Sequence, residues 1–327
     1  MYDFTAMIAG LKANPKSIVF TEGSDPRILE AAARLCEDDF LKPVLLGNPE
    51  EIQAVAKEKG FDVSKAKIID PKNYEKFDEM VDLFCELRKK KGVTKEQAEK
   101  TLSFSNYFGT MLVKMGEADC LLGGATYSTA DTVRPALQII KAKPGNSIVS
   151  SCFILVRDKA EGGNEILALA DCAINLFPDE DQLVEICGET VKCAKVFGVD
   201  PKVAFLSFST KGSGKDATVD KMRNATIKAQ EKYPDIPIEG ELQFDAAVAP
   251  EVAATKCKGS TVAGYANTFI FPDINAGNIG YKIAQRLGGF DAFGPILLGL
   301  NAPINDLSRG CNADEVYSMS IITAALV

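Results

Sequence analysis

The chain has 327 residues, of which 46% are hydrophobic and 25% charged, as expected of a globular protein long enough for two domains with separate cores. The formal net charge is −8, and no basic run is longer than Lys89-Lys90-Lys91. This balance argues against nucleic acid as the main partner, because binding to phosphate backbones needs a clustered positive surface.

Export and membrane signals are also missing. No window approaches the ~20 apolar residues that a membrane span needs, and the start, MYDFTAMIAGLKANPK, lacks the layout of a signal peptide. We therefore expect a cytoplasmic protein without membrane contact. The nine cysteines form no C-x-x-C pair and are expected to be reduced thiols, mostly buried.

The sequence contains no histidine. Ser-His-Asp hydrolysis, histidine-dependent acyl transfer and histidine-containing zinc sites are therefore excluded. The chemistry must use carboxylates, arginines, hydroxyls, thiols or backbone amides, and we predict no metal site.

Short β-branched runs alternate with longer amphipathic stretches along the chain. This alternation predicts βαβ units, and so an α/β fold with two domains and mostly parallel sheets. The predicted strands are SIVFT (17–21), PVLLG (43–47), KIID (67–70), DCLLGG (119–124), VAFLS (203–207), TFIF (268–271) and PILLG (295–299).

The middle of the chain departs from that alternation. IVSSCFILV, a polar turn at 161–164 and EILALA predict a hairpin, and so antiparallel pairing in the second domain. The linker-like KAKPGNS places a boundary near residue 146. We predict a first domain of residues 1–145 and 298–327, to which the last strand and helix return, and a second domain of 146–297. Ligands are expected at the carboxyl ends of strands, in the cleft between the domains.

A helix is predicted from Glu75 to Lys91, with an apolar stripe at helical spacing. Arg88 falls near the centre of that stripe and not with the lysines that follow it. Two interpretations remain open. In the first, the guanidinium of Arg88 reaches solvent at the end of the helix. In the second, Arg88 points into a cleft and binds an anion.

The segment GGATYSTADTVRPALQII (123–140) joins a strand to a helix. Proline is tolerated in a first helical turn, so Pro135 predicts that Asp131 or Thr132 caps the helix. Such a junction can bind an anion through free backbone N–H groups, hydroxyls and a guanidinium. The alternative is a simple helix cap with a solvated arginine. The side chains concerned are Ser128, Thr129 and Arg134.

A second such loop, NAPINDLSRGCNADE (301–315), follows PILLG and leads into the last helix. Asn312 and Glu315 have the spacing of a capping box, which gives Glu315 a structural role. Ser308 and Arg309 do not fit the cap, and Gly310 lets the backbone approach a ligand closely.

Two glycine-rich segments do not match nucleotide-binding motifs. STKGSGKDAT (209–218) has Ser209 and Asp216 where a P-loop needs glycine and Ser/Thr. PDINAGNIGYKIAQRLGG (272–289) lacks the G-x-G-x-x-G spacing, although Tyr281 could line a cleft. A nucleotide-dependent oxidoreductase therefore gains little support.

Several long motifs together resemble the phosphate acetyltransferase (phosphotransacetylase) family: DTVRPALQI, STKGS, GELQFDAA, FPDINAGNIGYKIAQRLGG and PINDLSRGC. The resemblance implies interconversion of acetyl-CoA and phosphate with acetyl phosphate and CoA. It also implies a homodimer with two α/β domains per chain and no cofactor, since coenzyme A is a substrate.

The resemblance also implies roles for individual residues. The family's active-site serine and neighbouring arginine fall on Ser308 and Arg309, and two further functional arginines fall on Arg134 and Arg88. The family's catalytic aspartate falls on Glu315, with Asp314 one position earlier, so the identity of the base stays open.

These residue types suit direct attack of the CoA thiolate on acetyl phosphate in a ternary complex. Arginines would hold phosphate, Ser308 would stabilise the carbonyl oxyanion, and a carboxylate would take the thiol proton. The competing chemistry is an acyl-enzyme on Cys311 or Ser308. A butyryl-preferring relative and a non-enzymatic acyl-CoA or phosphate sensor are the alternative functions.

Overall fold

The computed structural model describes residues 2–327, which divide into two compact units. The first unit comprises Phe4–Pro144 and Leu300–Val327; the second comprises Gly145–Gly299 with the N-terminal residues through Asp3. Each unit contains one β-sheet with helices packed on it. The α/β class with mostly parallel sheets, predicted from the sequence, is confirmed.

The strands are β1 (Lys16–Phe20), β2 (Leu41–Leu46), β3 (Lys67–Ile69), β4 (Cys120–Gly123), β5 (Ser150–Asp158), β6 (Asn164–Ala170), β7 (Val203–Leu206), β8 (Ile238–Leu242), β9 (Thr268–Ile270), β10 (Asp291–Leu298) and β11 (Ile304–Asp306). The α-helices are α1 (Thr5–Ala13), α2 (Pro26–Asp38), α3 (Pro49–Lys59), α4 (Phe77–Leu87), α5 (Lys95–Leu102), α6 (Ser105–Lys114), α7 (Thr129–Pro135), α8 (Glu180–Val196), α9 (Ala217–Lys232), α10 (Phe244–Val248), α11 (Pro250–Lys256), α12 (Ile274–Leu287) and α13 (Ala313–Ala325).

The sheet of the first unit has five parallel strands in the order β11-β4-β1-β2-β3. β4 is buried along its whole length, as expected of a parallel strand covered on both faces. Because the strands are parallel, the carboxyl ends of β1, β4 and β11 lie at one edge, and each is followed by a loop into a helix: α2, α7 and α13 respectively.

The sheet of the second unit has the order β10-β5-β6-β9-β7-β8. The predicted hairpin is confirmed, since β5 and β6 pair antiparallel. The expectation that PILLG begins the return to the first domain is wrong, because these residues lie largely in β10, which pairs antiparallel with β5. The strand that returns is β11, within PIND; three residues are too few for a detectable period, and two of them are polar.

Each unit has its own hydrophobic core. The core of the first unit includes Val19, Leu46, Met80, Phe84, Phe108, Met111, Leu121, Ile139 and Ile304. The core of the second includes Phe153, Leu155, Leu169, Leu206, Leu242, Phe269 and Phe290.

The predicted start of the helix after β4 is wrong. Ser128, not Asp131 or Thr132, occupies the N-cap, and Pro135 lies inside the helix, which continues as a π-helix over Ala136–Ile140. Proline removes the N–H that would bond the carbonyl four residues earlier. That carbonyl, of Asp131, accepts instead from the side-chain amide of Asn106 at 2.7 Å.

A buried hydrogen bond fastens β11 to α13. The side-chain amide of Asn305 donates to Thr323 Oγ1 at 2.9 Å, and both residues are fully buried. Replacing the hydroxyl by a methyl group therefore removes an acceptor at nearly constant volume.

We expect Thr323→Val to lower the free energy of unfolding by about 1–3 kcal/mol, the cost of breaking a buried hydrogen bond. Urea unfolding followed by circular dichroism measures this change. The control is Thr255→Val, whose hydroxyl bonds Glu251 O on an exposed helix and whose loss should cost less than about 0.5 kcal/mol. Equal effects in the two variants would contradict the argument.

Candidate functional site

Three loops meet at the edge formed by the carboxyl ends of β1, β4 and β11. They comprise residues 21–25, 124–128 and 307–312, and we call them the strand-end loops. Four of the predicted site residues lie in these loops or at the first position of α7: Ser128, Thr129, Ser308 and Arg309. Ligands in open α/β sheets bind at this edge.

Asp306, the last residue of β11, ties the third loop to α7. Its buried carboxylate accepts hydrogen bonds from Thr129 Oγ1 at 2.6 Å and from the hydroxyl of Thr132. Burial raises the pKa of Asp306, and the two hydroxyls partly offset that rise. A Cβ at Gly124 would lie 2.3 Å from Asp306 Oδ1, so the close approach requires glycine. The hydroxyl of Thr129, predicted to bind substrate, is thus engaged within the protein.

Glu22 links the first strand-end loop to the second by hydrogen bonds. Its carboxylate accepts from the backbone N–H groups of Gly124 at 3.1 Å and Thr126 at 3.0 Å, and from Thr21 Oγ1 at 2.7 Å. Burial raises the pKa of Glu22 above its usual range, against the lowering effect of these bonds. The Thr21 hydroxyl also lies 2.7 Å from the hydroxyl of Tyr127, whose pKa burial raises strongly.

Arg27, in the first turn of α2, contacts all three strand-end loops. Its guanidinium bonds both carboxylate oxygens of Asp25 and the carbonyl oxygens of Ala125, Arg309 and Cys311. Arg27 was not among the site residues predicted from the sequence. A signal was present, because a cation in the first turn of a helix is disfavoured by the helix dipole and needs another reason to be there.

Ser308 and Arg309 are exposed on the third loop. The Ser308 hydroxyl accepts a hydrogen bond from the backbone N–H of Gly310 at 3.2 Å. Within residues 2–327 the guanidinium of Arg309 has neither a hydrogen bond nor an ion pair, in contrast to that of Arg27. An unpaired guanidinium is suited to bidentate binding of phosphate.

The two acidic candidates at the start of α13 point to different partners. The capping box is confirmed: Glu315 N donates to Asn312 Oδ1 at 2.9 Å, and Asn312 N donates to Glu315 Oε2 at 3.1 Å. Asp314 instead forms an ion pair of 2.6 Å with Arg34, whose guanidinium stacks over Tyr317.

Ser128 and Arg134 converge on one carboxylate. The Ser128 hydroxyl donates to Asp131 Oδ2 at 2.7 Å as part of a capping box, and Arg134 lies 3.6 Å from the other oxygen of Asp131. Arg134 is more than half exposed, so this ion pair contributes little energy and leaves guanidinium donors open to a ligand.

Arg88 ends α4 and is half-buried. It lines a surface pocket of about 340 Å³ together with Phe84, Val93, Gln97, Lys100, Thr101, Tyr107 and Gln138. Burial raises the pKa of Tyr107, while the positive charges of Arg134 and Arg88 lower it. The charges of Arg88 and Arg134 therefore act on the same tyrosine, and the role of Arg88 in binding an anion stays a prediction.

Tyr281 belongs to the second unit, where its ring stacks on Phe153 with centroids 3.8 Å apart. The loop that resembles a P-loop lies in the same unit. Its interior is filled by the buried carboxylate of Glu241, which accepts from Gly212 N at 2.6 Å and Ser209 Oγ at 2.9 Å. An internal carboxyl group thus occupies the donors that a phosphate would need.

Two features are absent from residues 2–327. This part of the chain brings together no group of three or more cysteine, aspartate or glutamate side chains able to hold a metal ion. None of its helices combines the length and the apolarity needed to cross a membrane.

The family described as phosphate acetyl/butaryl transferase matches residues 4–324. The chain belongs to this family. It is 54% identical over 308 residues to the phosphate acetyltransferase of Bacillus subtilis (strain 168), covering 94% of each chain. Two solved structures are also similar: a phosphotransacetylase from Streptococcus pyogenes (52% identity, TM-score 0.93, 99% and 98% of the two chains) and the EutD phosphotransacetylase from Staphylococcus aureus (48% identity, TM-score 0.90, the same coverage). The resemblance noted in the sequence motifs is confirmed.

Cys311 lies in the third strand-end loop but is buried. Burial raises the pKa of its thiol to about 11, although the charge of Arg27 acts to lower it. The thiol is therefore protonated at neutral pH, and protonated thiols are poor nucleophiles.

We expect iodoacetamide to alkylate Cys311 at about pH 7.5 at least ~100-fold more slowly than it alkylates a peptide of residues 305–315, because only thiolate reacts. The rate should rise about tenfold for each pH unit up to about pH 10. Peptide mapping by mass spectrometry measures the site-specific rates. Alkylation of Cys311 as fast as that of the peptide would show that its thiolate is stabilised, contrary to this account.

Proposed function

We propose that this chain interconverts acetyl-CoA and phosphate with acetyl phosphate and free coenzyme A. One observation carries the proposal: a chain 54% identical to a phosphate acetyltransferase presents the unpaired guanidinium of Arg309 next to Ser308 at the ligand-binding edge of a parallel sheet. Coenzyme A is a substrate in this scheme, and no further cofactor is proposed. A homodimer is part of the proposal, on the family resemblance.

Arg309 holds the phosphate of acetyl phosphate. Guanidinium presents planar N–H donors that match phosphate oxygens bidentately, and those of Arg309 are not used within residues 2–327. Arg134 and Arg88, whose charges both act on Tyr107, hold the other anionic groups of the substrates. In this proposal three arginines are enough to bind the anionic substrates, because each contacts one anionic group.

Ser308 stabilises the oxyanion. Its oxygen accepts from Gly310 N, and this contact leaves the hydroxyl hydrogen free to donate. As the CoA thiol attacks the carbonyl carbon, negative charge grows on the carbonyl oxygen, where a fixed donor lowers the barrier. The carbon–oxygen bond to phosphate then breaks, and phosphate leaves as the thioester forms.

Glu315 is the base that takes the thiol proton. Its carboxylate turns back to Asn312 N, and its charge acts on the neighbouring Cys311, so it lies against the third strand-end loop. Asp314 is directed instead to Arg34 on α2. A thiol with a pKa of ~8.5 is mostly protonated at neutral pH, so a positioned carboxylate helps.

Direct transfer agrees with these surroundings better than an acyl-enzyme. The Cys311 thiol is buried and protonated, and Ser308 has no imidazole to activate it in a chain without histidine. The acetyl group therefore passes between phosphate and sulfur without a protein-bound intermediate.

The activity is tested with acetyl-, propionyl- and butyryl-CoA, following loss of thioester absorbance with and without phosphate. We expect phosphate-dependent consumption with the highest kcat/KM for acetyl-CoA. Faster consumption of butyryl-CoA would identify a butyryl-preferring enzyme. Binding of acetyl-CoA by calorimetry without turnover of any thioester would favour the sensor alternative.

The base is tested by a matched pair of variants. Glutamine also completes a capping box, so Glu315→Gln should keep the fold while lowering kcat by about 10²- to 10⁴-fold, the usual effect of losing a general base. Its residual activity should rise with pH toward the thiol pKa of ~8.5, more steeply than in the parent. Asp314→Asn should be mild; the reverse pattern would move the base to Asp314.

A further inference from the structure

Arg27 uses every N–H donor that an arginine has. Of its five N–H groups, one on Nε bonds Asp25 Oδ1 at 3.0 Å, and two on Nη2 bond Asp25 Oδ2 at 2.8 Å and the Ala125 carbonyl at 3.0 Å. The Nη1 group bonds the carbonyls of Arg309 at 2.9 Å and Cys311 at 3.1 Å. A phosphate could bind Arg27 only by displacing one of these partners.

Asp25 fixes the plane of this guanidinium. The carboxylate accepts a bidentate pair of bonds and also caps α2 through Arg27 N at 2.9 Å. Burial alone would raise the pKa of Asp25, but the bonds from Arg27 hold it below its usual range. The ion pair is thus intact at neutral pH, and the remaining donors have a fixed direction.

We propose that Arg27 is a positioning residue that sets the backbone of the Ser308–Arg309 segment and does not itself bind phosphate. The two carbonyls on Nη1 belong to Arg309 and Cys311, on either side of Gly310. Because both carbonyls bond one nitrogen, the backbone turns at Gly310. This turn sets the direction of the Ser308 and Arg309 side chains. The carbonyl of Ala125 anchors the same guanidinium to the loop after β4. This inference rests on the proposed roles of Ser308 and Arg309.

Lysine cannot replace this arginine, although it keeps the charge. An ammonium has three tetrahedral donors, so it cannot bond Asp25 bidentately and also reach three carbonyls. The third strand-end loop would then relax, and a displacement of about 1 Å in a catalytic group can cost ~10²-fold in rate. We therefore expect Arg27→Lys and Arg27→Gln to be similarly impaired.

The decisive measurement is a double-mutant cycle with Ser308. Arg27→Lys alone should lower kcat/KM for acetyl phosphate about 30- to 300-fold. In a Ser308→Ala background the same change should cost less than about 3-fold, because two residues that act as a unit are non-additive. The control is Arg223→Lys, an exposed arginine paired with Asp220 on α9, which should keep parent kinetics.

Other results would overturn the inference. An equal loss in both backgrounds would mark Arg27 as an independent phosphate ligand, and parent activity in Arg27→Lys would show that charge alone matters. If Arg27→Gln melts far below the parent, yet Arg27→Lys is stable and fully active, the role is only structural. Parent kinetics in Arg309→Gln would refute the proposed site itself, whereas an inactive Arg309→Gln beside a fully active Arg27→Gln refutes only this inference.

Discussion

The parallel pairing of β11 with β4 is the constraint on which the candidate site depends. β11 has only three residues, but backbone hydrogen bonds to β4 fix its register at both ends. Leu121 N donates to Pro303 O just before β11, and Leu307 N donates to Gly123 O at 2.7 Å just after it. Because parallel strands end at the same edge, this pairing sets the Ser308–Arg309 segment beside the loop after β4. The buried bond from Asn305 to Thr323 then fastens α13 to the same strand.

Some charged side chains at this edge are hydrogen-bonded within the protein, and others have donors or acceptors available to a ligand. The partly buried Glu22 accepts from backbone N–H groups of the loop after β4, and the buried Asp306 accepts from hydroxyls of α7. Arg27 donates to carbonyls of the second and third strand-end loops. Arg309 has no such partner within the described chain. A protein of net charge −8 can therefore still present a cation to an anionic ligand, because no carboxylate within residues 2–327 pairs with the guanidinium of Arg309.

The sequence predicted features that follow from local patterns. Composition, β-branched runs and the Asn312–Glu315 spacing sufficed for the fold class, the hairpin and the last capping box, and long motifs sufficed for the family. It did not predict β11, the start of α7, or the roles of Glu22 and Arg27. Each of these depends on residues far apart in the chain. Asn106 donates a hydrogen bond to the carbonyl of Asp131, which Pro135 cannot bond. Arg27 donates to the carbonyl of Arg309, which lies near it only in the folded protein.

Capping by Glu315 and its proposed role as the base are compatible for a geometric reason. The cap occupies Oε2, which accepts from Asn312 N, and a carboxylate has acceptor sites on both oxygens. The other oxygen can take a proton while the cap holds the side chain in place. In a chain without histidine, we propose a carboxylate oriented in this way as the positioned base, in place of imidazole.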